Sequence, residues 1–248
     1  MKDKIIRLSK IISHAGICSR REAEQLIDNG KVEINGKIYN EYTIRNDIIK
    51  TIVVSGEVLK KNVNRLWIFN KPVGYVSSNK EQKNQKSLFR LFPSYIPRVV
   101  TVGRLDIMSE GLMIITNNPS ISSFLETPKN NIKRKYLVNV NGEITKNIIE
   151  KTKRNLLIDG QFYKKIKLNV IVSKSHFHSL EIELNEGKNR EIRKILSHFN
   201  LKIKKLKRIE YGPFKLGNLE IGKLKEISDK WLSILLKKVK FRDENNFW

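Results

Sequence analysis

A single cysteine, Cys18, in 248 residues leaves no partner for an internal disulfide. Histidine is scarce as well. His14, His176, His178 and His198 together with that one thiol make no spacing that resembles a zinc site, so no structural or catalytic metal is expected. His176 and His178 alternate beside a strand-like run, which reads as a pair of surface or edge-strand histidines. No apolar run nears the roughly 18 residues that span a bilayer. The start, MKDKIIRLSK, lacks both the apolar centre and the small-residue cleavage site of a signal peptide. These shortages argue for a cytoplasmic protein with no membrane partner. Gly-rich phosphate loops of the two common nucleotide-binding types are also missing.

Acidic residues are the last shortage: 25 Asp and Glu stand against 49 Lys and Arg, a formal charge of +24. Such a surplus favours a polyanion, nucleic acid first, through phosphate neutralisation and release of counterions. A general enrichment in Lys, Ile and Asn would inflate the charge without any binding purpose, but the excess is clustered. Residues 129 to 210 hold 21 Lys and Arg against 8 Asp and Glu.

What is present begins with a compact N-terminal unit. Leu8, Ile11, Ile12 and Ala15 fall on one face of a short helix closed by Gly16. Ser19 and Glu22 have the spacing of a capping box for a second helix ending at Gly30. In VEINGKIY, Asn35-Gly36 supplies a tight hairpin turn. Lys10, Arg20, Arg21 and Lys31 are expected around the entrance of the second helix, whose free N–H groups favour phosphate. With SRREAEQLI and G-K-V-x-I-N-G in this order, the segment resembles an S4-type RNA-binding domain. Residues 1–62 are assigned to it, and the polar, aperiodic KKNVN at 60 to 64 is read as a linker.

From residue 65 to 240, strand-like runs at Leu66–Phe69, Leu112–Thr116, Tyr136–Val140, Lys167–Val172 and Leu180–Leu184 alternate with the helical stretches SLFRLF, SISSFLE and NREIRKILSHF. An α+β domain with a mixed, mainly antiparallel sheet is expected. The 40% hydrophobic content is enough to give both units real cores.

Four stretches carry the chemistry: NKPVGYV (70–76), GRLDIMSEGLMIITN (103–117), KRKYLVNV (133–140) and NEGKNREIRKIL (185–196). Singly each has a bland reading as a turn, a packing tyrosine or a solvated helix face. In this order they resemble the RNA pseudouridine synthases, the branch acting on ribosomal RNA in which an S4 domain precedes the catalytic domain. GRLDxxSEGL followed by EGKNRxIR is the specific part. The resemblance implies cofactor-free isomerisation of a uridine, in large-subunit or alternatively small-subunit ribosomal RNA, by a monomer acting on RNA or a ribosomal assembly intermediate. It makes Asp106 the nucleophile, Arg193 its charge partner with Arg190 as the fallback, and Tyr136 the residue on the extruded uracil. Arg104 holds the extruded nucleotide or fills its place in the RNA.

Lys71 and Pro72 match the motif that shapes the wall of the site. Lys135, one residue from Tyr136, points to the opposite face of a strand and suits a phosphate contact or simple exposure. Lys205 and Arg208, in KIKKLKRIEYGPFKLGNL, are read as phosphate contacts with a periodicity ambiguous between strand and helix. A carboxylate shielded from water stays ionised only if paired, which is the demand the Asp106–Arg193 pairing would meet.

The chain departs from the family pattern at TNNP (116–119), where Pro119 could open a helix, and at Glu191, where Gln is common. SDKWLSILLKKVKFRDENNFW reads as an amphipathic helix capped by Ser228 with a frayed end. The rival reading is a non-catalytic RNA-binding ribosome-assembly factor.

Overall fold

The computed structural model describes residues 5–60, 62–79, 81 and 84–242; the expected frayed end beyond residue 242 lies outside them. Near the N-terminus, helix Leu8–His14 turns through Gly16, whose φ of 81° only glycine adopts without strain. Helix Arg20–Asp28 follows. Its N-cap Ser19 accepts from the Glu22 amide at 3.2 Å while the Glu22 carboxylate accepts from the Ser19 amide at 2.7 Å. A cap of this kind stabilises a helix by about 1 kcal/mol.

Asn35 (φ 52°) and Gly36 (φ 80°) then close the hairpin between Val32–Ile34 and Lys37–Ile38. Strand Ile52–Val54 pairs on the other side of Val32–Ile34. Leu8, Ile11, Ile12, Ala23, Ile27, Val32 and Ile52 fill a core of their own.

The larger unit is built on a nine-stranded sheet. Along its main path the strands run Lys167–Lys174, Phe177–Leu184, Arg134–Asn141, Lys202–Tyr211, Glu110–Thr116, Leu66–Lys71 and Leu224–Glu226. Neighbours are antiparallel except Glu110–Thr116 and Lys202–Tyr211, which meet in parallel at Glu110↔Lys207 and Gly111↔Arg208.

The sequence explains which strands lie deepest. LWIFNK and EGLMIIT are apolar at nearly every position because both faces are covered. Trp67, Phe69, Met113 and Ile115 enter one core, and Leu66, Ile68, Leu112 and Ile114 another. RKYLVNVN and FHSLEIEL alternate instead, with one face inward. His178 shares the inward phase of Leu180 and Ile182, so the surface or edge reading fails for it. It is 4% exposed, with Nδ1 at 2.9 Å from Ser173 Oγ and Nε2 at 2.9 Å from the Gly142 carbonyl.

Pro119 does open a helix, Pro119–Glu126, with Asn118 capping the Ser120 amide at 2.7 Å. The last helix, Asp229–Lys238, has Ser228 at its N-cap, but the hydroxyl makes no capping bond. No helix among the described residues is long and apolar enough to cross a membrane.

Candidate active site

Asp106 sits on the loop that enters strand Glu110–Thr116. The loop is pinned from beneath by Lys71, the last residue of the neighbouring strand. Lys71 is fully buried, and its ammonium donates to the carbonyls of Ser109 (2.9 Å), Pro72 (3.0 Å) and Asp106 (3.3 Å). Burial pushes the ammonium down to about 8, against the opposing pull of the Asp106 charge. The Ser109 amide closes a turn on the Asp106 carbonyl at 2.9 Å.

Helix Glu191–His198 delivers the cations. Ile192, Ile195 and Leu196 fix its inner face, which turns Arg193 toward the loop. Arg193 Nε lies 3.3 Å from Asp106 Oδ2, while its Nη2 donates to the Met108 carbonyl at 2.9 Å and to Ser109 Oγ at 3.0 Å. Arg190, in a left-handed conformation (φ 54°) at the N-cap, puts Nη1 3.6 Å from the same Oδ2. Both candidate cations therefore converge on one carboxylate. The Asp106 side chain is 29% exposed, so it lies in an open cleft held by its partners and is not sealed in an apolar interior.

That cleft has a volume of about 570 Å³. Tyr136 lines it from strand Arg134–Asn141 and is 8% exposed. Arg104 lines its rim, exposed, and among the described residues makes no ion pair with Asp106 or Glu110. Lys135 points to the other face of its strand, 3.5 Å from Glu181.

Sequence reasoning missed Arg134. It is buried, lines the cleft, donates to the Tyr211 hydroxyl at 2.7 Å and stacks 4.6 Å over the Tyr211 ring. Its two-residue offset from Tyr136 was the available signal.

Two expectations fail. Arg208 is 2% exposed, with Nε donating to the Leu112 carbonyl at 2.7 Å and its guanidinium 5.0 Å over the Tyr211 ring; it lines the cleft from a buried position and presents no surface cation to the RNA backbone. Lys31 follows the C-terminal end of helix Arg20–Asp28, away from the helix entrance, because nine residues rise about 13 Å. Arg20 and Arg21 are the first two residues of that helix and exposed, while Lys10 is half-buried on the preceding helix. Lys205 is exposed and 3.1 Å from Glu110.

A half-buried carboxylate clasped by two guanidinium groups beside a tyrosine, in a cleft of the larger unit, is the layout of an enzyme site. Comparisons narrow the class. A family model described as RNA pseudouridylate synthase matches residues 65–198, and the S4 domain model matches residues 6–44.

The chain is 41% identical over 235 residues to an uncharacterized RNA pseudouridine synthase of Rickettsia typhi, covering 94% of each. It is 32% identical over 224 residues to ribosomal large subunit pseudouridine synthase B of Bacillus subtilis, covering 90% of this chain and 92% of that one. A crystal structure of a pseudouridylate synthase superposes with a TM-score of 0.67 at 23% identity, over 94% of this chain and 99% of the other, which supports the fold. The chain belongs to the RNA pseudouridine synthase family, in the form that carries an N-terminal S4 domain.

Proposed function

We propose that this chain converts a uridine of large-subunit ribosomal RNA to pseudouridine without a cofactor, with Asp106 as nucleophile. The observation that carries the reading is the convergence of Arg193 and Arg190 on Asp106 Oδ2 beside Tyr136. The large subunit as target is supported by the name of the Bacillus subtilis relative.

A base inside folded RNA cannot reach this carboxylate, so the nucleotide leaves its stack, and Arg104 at the rim holds it out or fills the gap. Asp106 attacks or stabilises C1′ as the N1–C1′ electron pair departs with the uracil. The ring turns against Tyr136, C5 joins C1′, and the carboxylate is released. C5 then loses its proton and N1 gains one, so the balance is an isomerisation. Both guanidinium contacts fall on Oδ2, which leaves Oδ1 as the attacking atom. Arg20 and Arg21 of the S4 domain take phosphate at a helix N-terminus.

The test is tritium release from uracil C5 in large- and small-subunit ribosomal RNA. The expected result is release from the large-subunit RNA by wild type and none by Asp106→Asn. Release from small-subunit RNA alone would move the target, and equal silence from both proteins would favour a pure RNA-binding assembly factor.

A further inference from the structure

One cluster of titratable groups beside the cleft has no part in the reaction above. Glu191, the first residue of the helix that carries Arg193, is 4% exposed and lines the cleft. Its Oε2 accepts from the Lys188 amide at 2.9 Å, whereas its buried Oε1 has no hydrogen-bond donor. The neighbour of that side chain is another acid. Glu186 is 8% exposed and near enough for its charge to act on Glu191, and its Oε1 takes the Lys164 amide at 2.9 Å and the Lys188 ammonium at 3.2 Å. Two buried carboxylates side by side repel when both are charged, and an orphaned buried oxygen is costly. A single proton on Glu191 removes both difficulties.

We propose that Glu191 is a positioning residue that works as a neutral acid, sharing its proton with Glu186 and so closing the 186–191 loop that sets Arg190 and Arg193 against Asp106. This rests on the functional reading above only for what the two arginines do.

Glu186 has the better claim to the negative charge. Burial pushes its carboxyl up, but the Lys164 amide and Lys188 outweigh that and hold it below the usual value. Burial and the adjacent Glu186 carboxylate push Glu191 up to about 7. Other charged groups on the packed elements are Arg134, whose Cζ would lie 3.4 Å from a β-carbon on Gly187, and Arg193 and Lys194 on the helix itself. The protonated carboxyl supplies the O–H donor that the pair of acids lacks. With its pKa raised, the contact is complete at acidic pH and is lost as pH rises through about 7.

The decisive measurement is carbon-13 NMR of protein labelled at glutamate Cδ, with the resonance assigned by Glu191→Gln. Glu191 is expected to titrate near 7, and Glu186→Gln is expected to drop it toward the ordinary 4.5, since the amide donates to a charged Glu191. In the same samples the Arg193 Nε–H signal shifts with that midpoint in wild type and stays fixed in Glu191→Gln. On a large-subunit RNA transcript, kcat for tritium release falls by about threefold or more through the same midpoint, and Glu191→Gln follows a flat profile. Titration of Glu191 in the ordinary range, or an Arg193 signal indifferent to it, overturns the proposal. A wild type silent on every RNA strikes the functional reading instead, while the two spectra decide the proton without it.

Discussion

Gly111 and Arg208 meet at the parallel junction of the central sheet, so closely that a β-carbon on Gly111 would lie 2.3 Å from the Arg208 carbonyl oxygen and 2.9 Å from its amide nitrogen. Both neighbours are backbone and cannot swing aside. Gly111 also holds φ at 100°, where L side chains are strained. The junction ties the end of the Asp106 loop to the strand that pairs, in the same sheet, with the one carrying Tyr136.

Gly111→Ala therefore combines a clash with backbone strain and should cost about 3 kcal/mol or more. Urea unfolding measures it. A loss under about 1 kcal/mol would show that the two strands separate easily.

Lys71→Met keeps the stem but strips the donor from three carbonyls, and a loss of about 2 to 4 kcal/mol is expected. The pH dependence has a defined sign. The folded value near 8 lies below the ordinary 10.5, so between those limits the unfolded chain holds more protons. Wild-type stability gains from this residue as pH rises through that window, the gain is lost again as pH falls through 8, and Lys71→Met shows neither. Denaturation midpoints across the range check this.

Arg193→Lys preserves charge but not the fork that spans Asp106, Met108 and Ser109. A fall in kcat of about 100-fold, with KM for RNA little changed, is the expected outcome in the tritium assay. Full activity in the lysine variant would mean that charge alone suffices.

Arg20→Ala and Arg21→Ala should each flatten the salt dependence of RNA binding by about one unit in the log–log slope. Arg208→Ala should leave that slope unchanged and lower the melting temperature, because its guanidinium is committed to Leu112 and Tyr211. Filter binding over a salt series, beside thermal melts, separates the two roles.

Local signals were the legible part of the sequence. Ser19 with Glu22, and Asn35 with Gly36, each encode their turn within a few residues, and the apolar runs of the two deepest strands announce burial on both faces. Arg208 was misread for a physical reason. In strand Lys202–Tyr211 the register slips against Arg134–Asn141, with Lys135 facing Glu210 and Tyr136 facing Arg208. Arg208 lies two residues after Leu206 and shares its inward phase, while slips at Lys204 and Ile209 break the alternation on either side of that pair and carry Ile203 and Tyr211 out of step with it. Those two slips blur the period of KIKKLKRIEY and hide the phase of its middle from a local reading. The same holds for Arg190 and Arg193, whose shared contact with Asp106 spans more than eighty residues and is fixed by sheet order. The motif resemblance pointed to both arginines, but it could not supply the distances. His178 and Arg134, in contrast, were readable from strand phase alone.

The order in which these pieces leave the ribosome has its own consequence. The S4 core closes between Ile6 and Leu59, whereas the cleft lacks a wall until the strand ending at Tyr211 has been synthesised. Domains emerging first fold first. A nascent chain thus acquires a grip on RNA well before it acquires reactivity, and a truncated product stalled midway would hold its target without altering it.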